Sequence, residues 1–130
     1  MDRLVNLAAR ILLAHLFVIS GYGKIAGYAG TQAYMASKGM PGELLPLVIL
    51  LELGGGIAIV MGFMTRWTAF ALALFCIASG LMFHWDLANQ GQTINLMKNF
   101  AMAGGFLLLA QAGAPYLSID ALRSGGTKAG

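Results

Sequence analysis

The sequence predicts an all-α fold, a four-helix transmembrane bundle with a short interfacial helix between helices 1 and 2, and three observations predict it. Of 130 residues, 58% are hydrophobic and 10% charged. That balance is too apolar for a water-soluble domain of this length, which buries only about 65% of the surface its unfolded chain exposes. The apolar residues gather in four runs, each close to the roughly 20 residues a helix needs to cross a bilayer. The Lys and Arg residues are spread thinly, mostly at the ends of those runs, where flanking charges of membrane helices belong. Residues 1–130 therefore form one membrane domain, with the lipid bilayer as its solvent.

The first span covers about 4–23 and is interrupted by Arg10 and His15; the second covers about 44–63 and contains Glu52. The third, about 67–85, is bracketed by Trp67 and Trp85, which suit the two membrane interfaces, and the fourth, about 96–113, stops before Pro115 and Tyr116. Strands fit poorly, because residues 47–51 and 70–75 are apolar on both parities whereas a membrane barrel alternates. A signal-peptide reading of the N-terminus also fits poorly: Asp2 and Arg3 precede an apolar run, but no clean A-x-A site follows. Between the first two spans, Thr31 is placed as the N-cap of a short surface helix stopped by Gly39 and Pro41. Residues 64–66 are the whole link between spans two and three, which makes those spans a tight antiparallel hairpin. Residues 86–93 read as a polar loop turning at Gly91.

With four spans both termini share a face, which carries Arg3, Arg66, Arg123 and Lys128, against Lys24 and Lys38 on the other, plus Lys98 if it snorkels. The positive-inside rule then puts both termini in the cytoplasm. The same scatter of basic residues excludes a nucleic-acid face. The lone Cys76 excludes an intrachain disulfide, and no HExxH or CxxC spacing suggests a metal. A bis-histidine haem fails on depth, since His15 and His84 differ by about 8–10 Å along the membrane normal.

The stretches SGYGKIAGYAG at 20–30, LVILLELGGG at 47–56, GFMTRWTA at 62–69, MKNFAMAGGFLLL at 97–109 and GAPYLSID at 113–120 together resemble the DoxX family of small bacterial inner-membrane proteins, especially its YqjF-like branch. The resemblance covers nearly the whole chain. Arg10, Lys24, Glu52, His84 and Lys98 fall where the family pattern places them, and Ala114 departs from it where a second glycine is common. The resemblance implies a four-helix inner-membrane protein with relatives linked to quinone-dependent redox systems such as thiosulfate:quinone oxidoreductase. It speaks to fold more than to reaction.

Ionisable groups inside a span cost roughly 2.5–3.5 kcal/mol each, so Arg10 and Glu52 need partners, and the simplest expectation is an intramembrane ion pair between them. His15 is expected to be a buried, hydrogen-bonded histidine. Gly54, Gly55 and Gly56 form a packing surface for a neighbouring helix. At the end away from the termini, Lys24, His84 and Lys98, with Asp86, Tyr22 and Trp85 nearby, form a candidate ligand site. Its donors suit the carbonyls of an amphipathic ring whose tail enters the bilayer, and a quinone or quinol has that shape. No intrinsic cofactor motif is present, and whether the chain is itself catalytic stays open. The function expected is the membrane subunit of a quinone/quinol-linked oxidoreductase system, with redox protein subunits carrying the electron centre. The alternatives are a small transporter using Arg10 and Glu52, as a homo-oligomer, or a scaffold recruiting redox or stress partners.

Overall fold

The computed structural model describes residues 2–124, and among them every regular element is a helix. Helix α1 (Asp2–Ala26) buries Arg10, Ala14, Phe17 and Gly21. That spacing of three and four is one stripe of a helix, and the stripe carries both the charge and the small residue that set the packing. Helix α2 (Tyr28–Ser37) lies across the end of the bundle away from the termini. It starts before Thr31, whose hydroxyl donates to the Gly27 carbonyl at 2.9 Å instead of capping a helix start. Gly39, at φ +80°, ends it, and the backbone N–H groups of Gly39 and Met40 return to the carbonyls of Ala36 and Met35.

Helix α3 (Gly42–Met61) is the second span, and it is irregular at two places. Its first turn is a tight 3₁₀ turn over Gly42–Leu44. Pro46 follows and has no N–H to return to the Gly42 carbonyl; that oxygen accepts the Leu45 N–H and, from α2, Gln32 Nε2 at 3.2 Å, which ties the surface helix to the span. The second irregularity is a wide π turn over Leu50–Gly54, centred on Glu52. Such turns displace one residue out of the regular ladder and are frequent at functional sites. Helix α4 (Thr65–Phe83) and helix α5 (Gln90–Ala112) complete the four spans, and a short α6 (Ile119–Arg123) follows. The expected polar loop at 86–93 is shorter than the composition suggests. Asn89 caps α5 by accepting from the Gln92 N–H at 3.1 Å, so Gly91 sits in the first helical turn.

The spans pack as two pairs, α1 with α3 and α4 with α5. In the first pair the backbones touch: a Cβ on Gly21 would lie 2.9 Å from Leu53 N, and one on Gly56 would lie 2.9 Å from Val18 Cγ2. Gly55 faces Leu72 of α4, so Gly55 and Gly56 are the packing surface expected of the glycine run. Between the pairs, the half nearer the termini is filled by Ala14, Ile59, Ala69, Leu72, Phe106 and Leu109. Phe17 meets Phe106 and Phe75 edge-on, at 5.5 and 6.2 Å between ring centres. The outer faces are apolar as well: Leu12, Leu50 and Leu108 are each 68% exposed. Only lipid makes such a surface stable, since each such side chain in water forgoes about 1.5–3 kcal/mol.

The terminal end is closed by polar contacts. Gly62, at φ +69°, ends α3 in the left-handed region, and its carbonyl accepts from the Asp120 N–H at 2.8 Å. A side chain there would collide with Ser118 and Arg10. The Asp120 carboxylate accepts from the N–H groups of Met64 and Thr65, both at 2.8 Å, and so caps α4 from a distant part of the chain. At the other helix end in this corner, Arg66 Nη1 donates to the Gln111 carbonyl at 2.5 Å. Ser118 caps α6 through the Ala121 N–H and donates its hydroxyl proton to the Ala114 carbonyl.

Burial alone would raise the Asp120 carboxyl, but the Thr65 side chain, the two N–H donors and the Arg123 guanidinium outweigh it and leave it below its usual 3.8. A carboxyl lowered by folding adds stability that is fully present above its unfolded value and is lost as pH falls through the lower folded one. Asp120→Ala is therefore expected to destabilise the detergent-solubilised protein by about 1 kcal/mol at pH 7, and the difference from the parent should close below about pH 3.8. Thermal unfolding of both proteins between pH 7 and pH 3 checks it; a difference independent of pH would contradict the charged cap.

Candidate functional site

The half of the bundle away from the termini holds a cavity of about 890 Å³ between the two helix pairs, within the 300–1,000 Å³ range of small-molecule sites. All four spans contribute to it: Phe17 and Ser20 from α1, Leu51 and Glu52 from α3, Phe75 and Ser79 from α4, Asn99 and Met102 from α5. Surface helix α2 covers one side with Tyr34 and Met35, and Tyr34 stacks on Phe83 of α4 at 5.6 Å. Most of the wall is apolar, as an amphipathic ligand requires.

Two charged groups belong to the wall, Glu52 and Lys24. Glu52 is 5% exposed, and its partner is Lys24, whose Nζ lies 2.7 Å from Oε1. Ser20 bridges the two, donating to Glu52 Oε2 at 3.3 Å and accepting from Lys24 Nζ at 2.8 Å. The short Nζ to Oε1 approach is an ionic contact, since Oε1 accepts no aligned hydrogen bond. Lys24 sits one turn after Ser20 on α1, so both reach the same carboxylate. The Glu52–Lys24 pair carries no net charge.

The expected ion pair between Arg10 and Glu52 is not formed. The two helices run antiparallel, with Gly21 against Leu53 and Val18 against Gly56, and this register carries Arg10 down to the end of α3. There Nη1 donates to the carbonyls of Ile59 and Val60 at 3.4 and 2.9 Å. Nη2 donates to those of Tyr116 and Leu117 at 3.1 and 2.9 Å, and Nε to Asn6 Oδ1 at 3.0 Å. Ile59 lies seven residues beyond Glu52, about 10 Å along the helix.

Of the three expected ligand residues, Lys24 and His84 line the cavity and Lys98 does not. Lys98 is exposed, and its neighbour Asn99 takes the inward position. Depth brings Lys24 and His84 to the cavity, but one residue turns a helix by about 100°, which decides between 98 and 99. Tyr22, Trp85 and Asp86 are likewise exposed rather than in the wall. His84 is half-buried, and its Nδ1 lies 2.7 Å from Gln92 Oε1 on α5. Asn99 donates weakly to Ser79 Oγ at 3.4 Å. His15, expected inside, is exposed on the outer face of α1 with Nδ1 2.6 Å from the Leu12 carbonyl. Among the described residues no group of His, Cys, Asp and Glu is disposed to hold a metal ion. Ser20, Asn99 and Gln92 were missed because they are uncharged; the signal for Ser20 was its place one turn before Lys24.

A double-mutant cycle separates the two pairings. Lys24→Met alone should cost up to about 3 kcal/mol by stranding a buried carboxylate, and Glu52→Gln added to it should recover part of that loss. Arg10→Leu and Glu52→Leu should instead be additive within about 0.5 kcal/mol. Coupling between Arg10 and Glu52 in detergent unfolding would contradict the structure.

The comparisons with known proteins agree with this architecture. The DoxX family model matches residues 5–85. Inner membrane protein YqjF of Escherichia coli K12 is 53% identical over 116 residues, covering 89% of this chain and 89% of that protein. Inner membrane protein YphA of the same organism is 37% identical over 121 residues, covering 88% and 86%. The putative oxidoreductase CatD of Bacillus subtilis 168 is 25% identical over 125 residues, covering 96% and 91%. No solved structure matches the chain significantly.

Proposed function

The chain belongs to the DoxX family, and we propose that this protein is an inner-membrane quinone- or quinol-binding subunit of an oxidoreductase system, its ligand seated in the cavity between the helix pairs. The observation that carries the reading is the cavity itself. It is apolar over most of its wall, reaches the far interface, and is neutral in charge, with Lys24, His84 and Asn99 as its polar fixtures. An amphipathic ring with oxygen substituents and an apolar tail matches that lining, the polar fixtures fixing the ring and the apolar wall taking the tail. Two relatives are named inner membrane proteins and a more distant one a putative oxidoreductase, which supports the location directly and the chemistry by analogy alone. In this reading a partner protein carries the electron acceptor or donor.

Both termini face the cytoplasm in this reading, supported by Arg3, Arg66 and Arg123 at their end of the bundle. A C-terminal alkaline phosphatase fusion should be inactive, and an active one reverses the orientation. For the ligand, titration of the nanodisc-embedded protein with a short-chain ubiquinol analogue kept reduced should give saturable binding. His84→Ala should weaken it at least about tenfold, or about 1.4 kcal/mol, whereas Lys98→Ala should leave it within about twofold. No saturable binding to the parent protein removes the quinone reading; an effect of Lys98→Ala as large as that of His84→Ala would mean the ligand sits elsewhere.

A further inference from the structure

The hydrogen-bonding character of the cavity assigns an oxidation state to its ligand. The Glu52 carboxylate does not greet a ligand, because Lys24 at 2.7 Å seals Oε1 from solvent and Ser20 occupies Oε2. The groups left to a ligand are on the opposite wall. His84 Nδ1 is held 2.7 Å from Gln92 Oε1, and a carbonyl oxygen only accepts, so Nδ1 carries the ring proton in the neutral imidazole. Nε2 is then a bare lone pair, and it has no protein partner among the described residues. Asn99 repeats the pattern: its Nδ2 donates to Ser79 Oγ, and its Oδ1 has no protein partner among the described residues. The α4 and α5 side of the cavity thus offers two open acceptors against one remaining N–H of the Asn99 amide.

We propose that the site recognises the hydroxyl-bearing form of the ring, a quinol or an alkylphenol, over the oxidised quinone, with Gln92 as the positioning residue that fixes the accepting tautomer of His84. A quinone brings only acceptors, so a carbonyl set against His84 Nε2 or Asn99 Oδ1 stays unpaired. A ring hydroxyl donates to one of them and can still accept from Lys24 on the other side. This inference rests on the proposed cavity ligand, and it adds the ligand's protonation and oxidation state.

The test uses the parent protein in nanodiscs with two probes of nearly equal shape, a 4-alkylphenol and its methyl ether. The phenol is expected to bind at least about tenfold tighter, and a short-chain ubiquinol analogue kept reduced should exceed its oxidised form in the same sense. Gln92→Ala should shrink the phenol-to-ether ratio toward one with the ether's own affinity unchanged, and Gln92→Glu, which also accepts from Nδ1–H, should restore it. A merely structural role for Gln92 would weaken both probes together and would overturn its assignment. Equal binding of phenol and ether to the parent protein overturns the inference while leaving a ring-binding cavity in place. Binding of none of the probes overturns the quinone reading as well.

Discussion

Arg10 is the constraint from which the rest of this bundle follows. It is fully buried, carries a permanent charge, and has no carboxylate partner in hydrogen-bond reach. All five of its N–H donors are nevertheless used, on four main-chain carbonyls and the Asn6 side chain. Two of those carbonyls are in the last turn of α3, where the helix leaves acceptors unsatisfied and its dipole is negative. The other two belong to the segment before α6, which has no ladder of its own. Asn6 then passes the connection on to the Gly113 carbonyl at 3.0 Å, just past the end of α5. One side chain on α1 thus joins the ends of two other spans and the C-terminal segment, with Gly62 kept free of a side chain so that it can reach them.

Closing one end this firmly lets the other end stay open. Near the termini the helix pairs are filled by Ala14, Ile59, Leu72 and Phe106, while beyond Phe17 the wall carries Ser20, Lys24 and Glu52 around empty space. The π turn at Leu50–Gly54 belongs to this open half, and it is where α3 presents Glu52. Helix α2 holds the cover in place by two side-chain contacts, Gln32 to the Gly42 carbonyl and Tyr34 on Phe83.

The fold was legible because lipid imposes a single simple demand, long apolar helices, and the four runs satisfy it without ambiguity. The site was legible by depth but not by direction. Lys24 and His84, grouped by their distance along the spans, both line the cavity, whereas Lys98 points outward and the uncharged Asn99, which drew no notice, takes the inward place, since a one-residue turn of the helix leaves no trace in composition. The pairing of Arg10 with Glu52 failed for a related reason. Two opposite charges inside a membrane invite each other on paper, but main-chain carbonyls at helix ends satisfy an arginine as well as a carboxylate does, and they have no sequence signature. The left-handed Gly62 and the reach of Asp120 back to Met64 and Thr65 depend on contacts more than fifty residues apart, beyond what any local pattern encodes.

Hydrogen exchange of the nanodisc-embedded protein, resolved by peptide, tests the division between a locked terminal end and an open ligand end most directly. A lysine in place of Arg10 keeps the charge but has three donors on a single atom and no planar fork, so it cannot serve both carbonyl pairs. The account predicts that Arg10→Lys speeds exchange in the 59–66 and 113–121 segments and leaves the 20–27 and 79–99 segments near their parent rates, while Glu52→Gln does the reverse. Exchange that rises over the whole chain in both variants, or at the terminal end in Glu52→Gln, would contradict it.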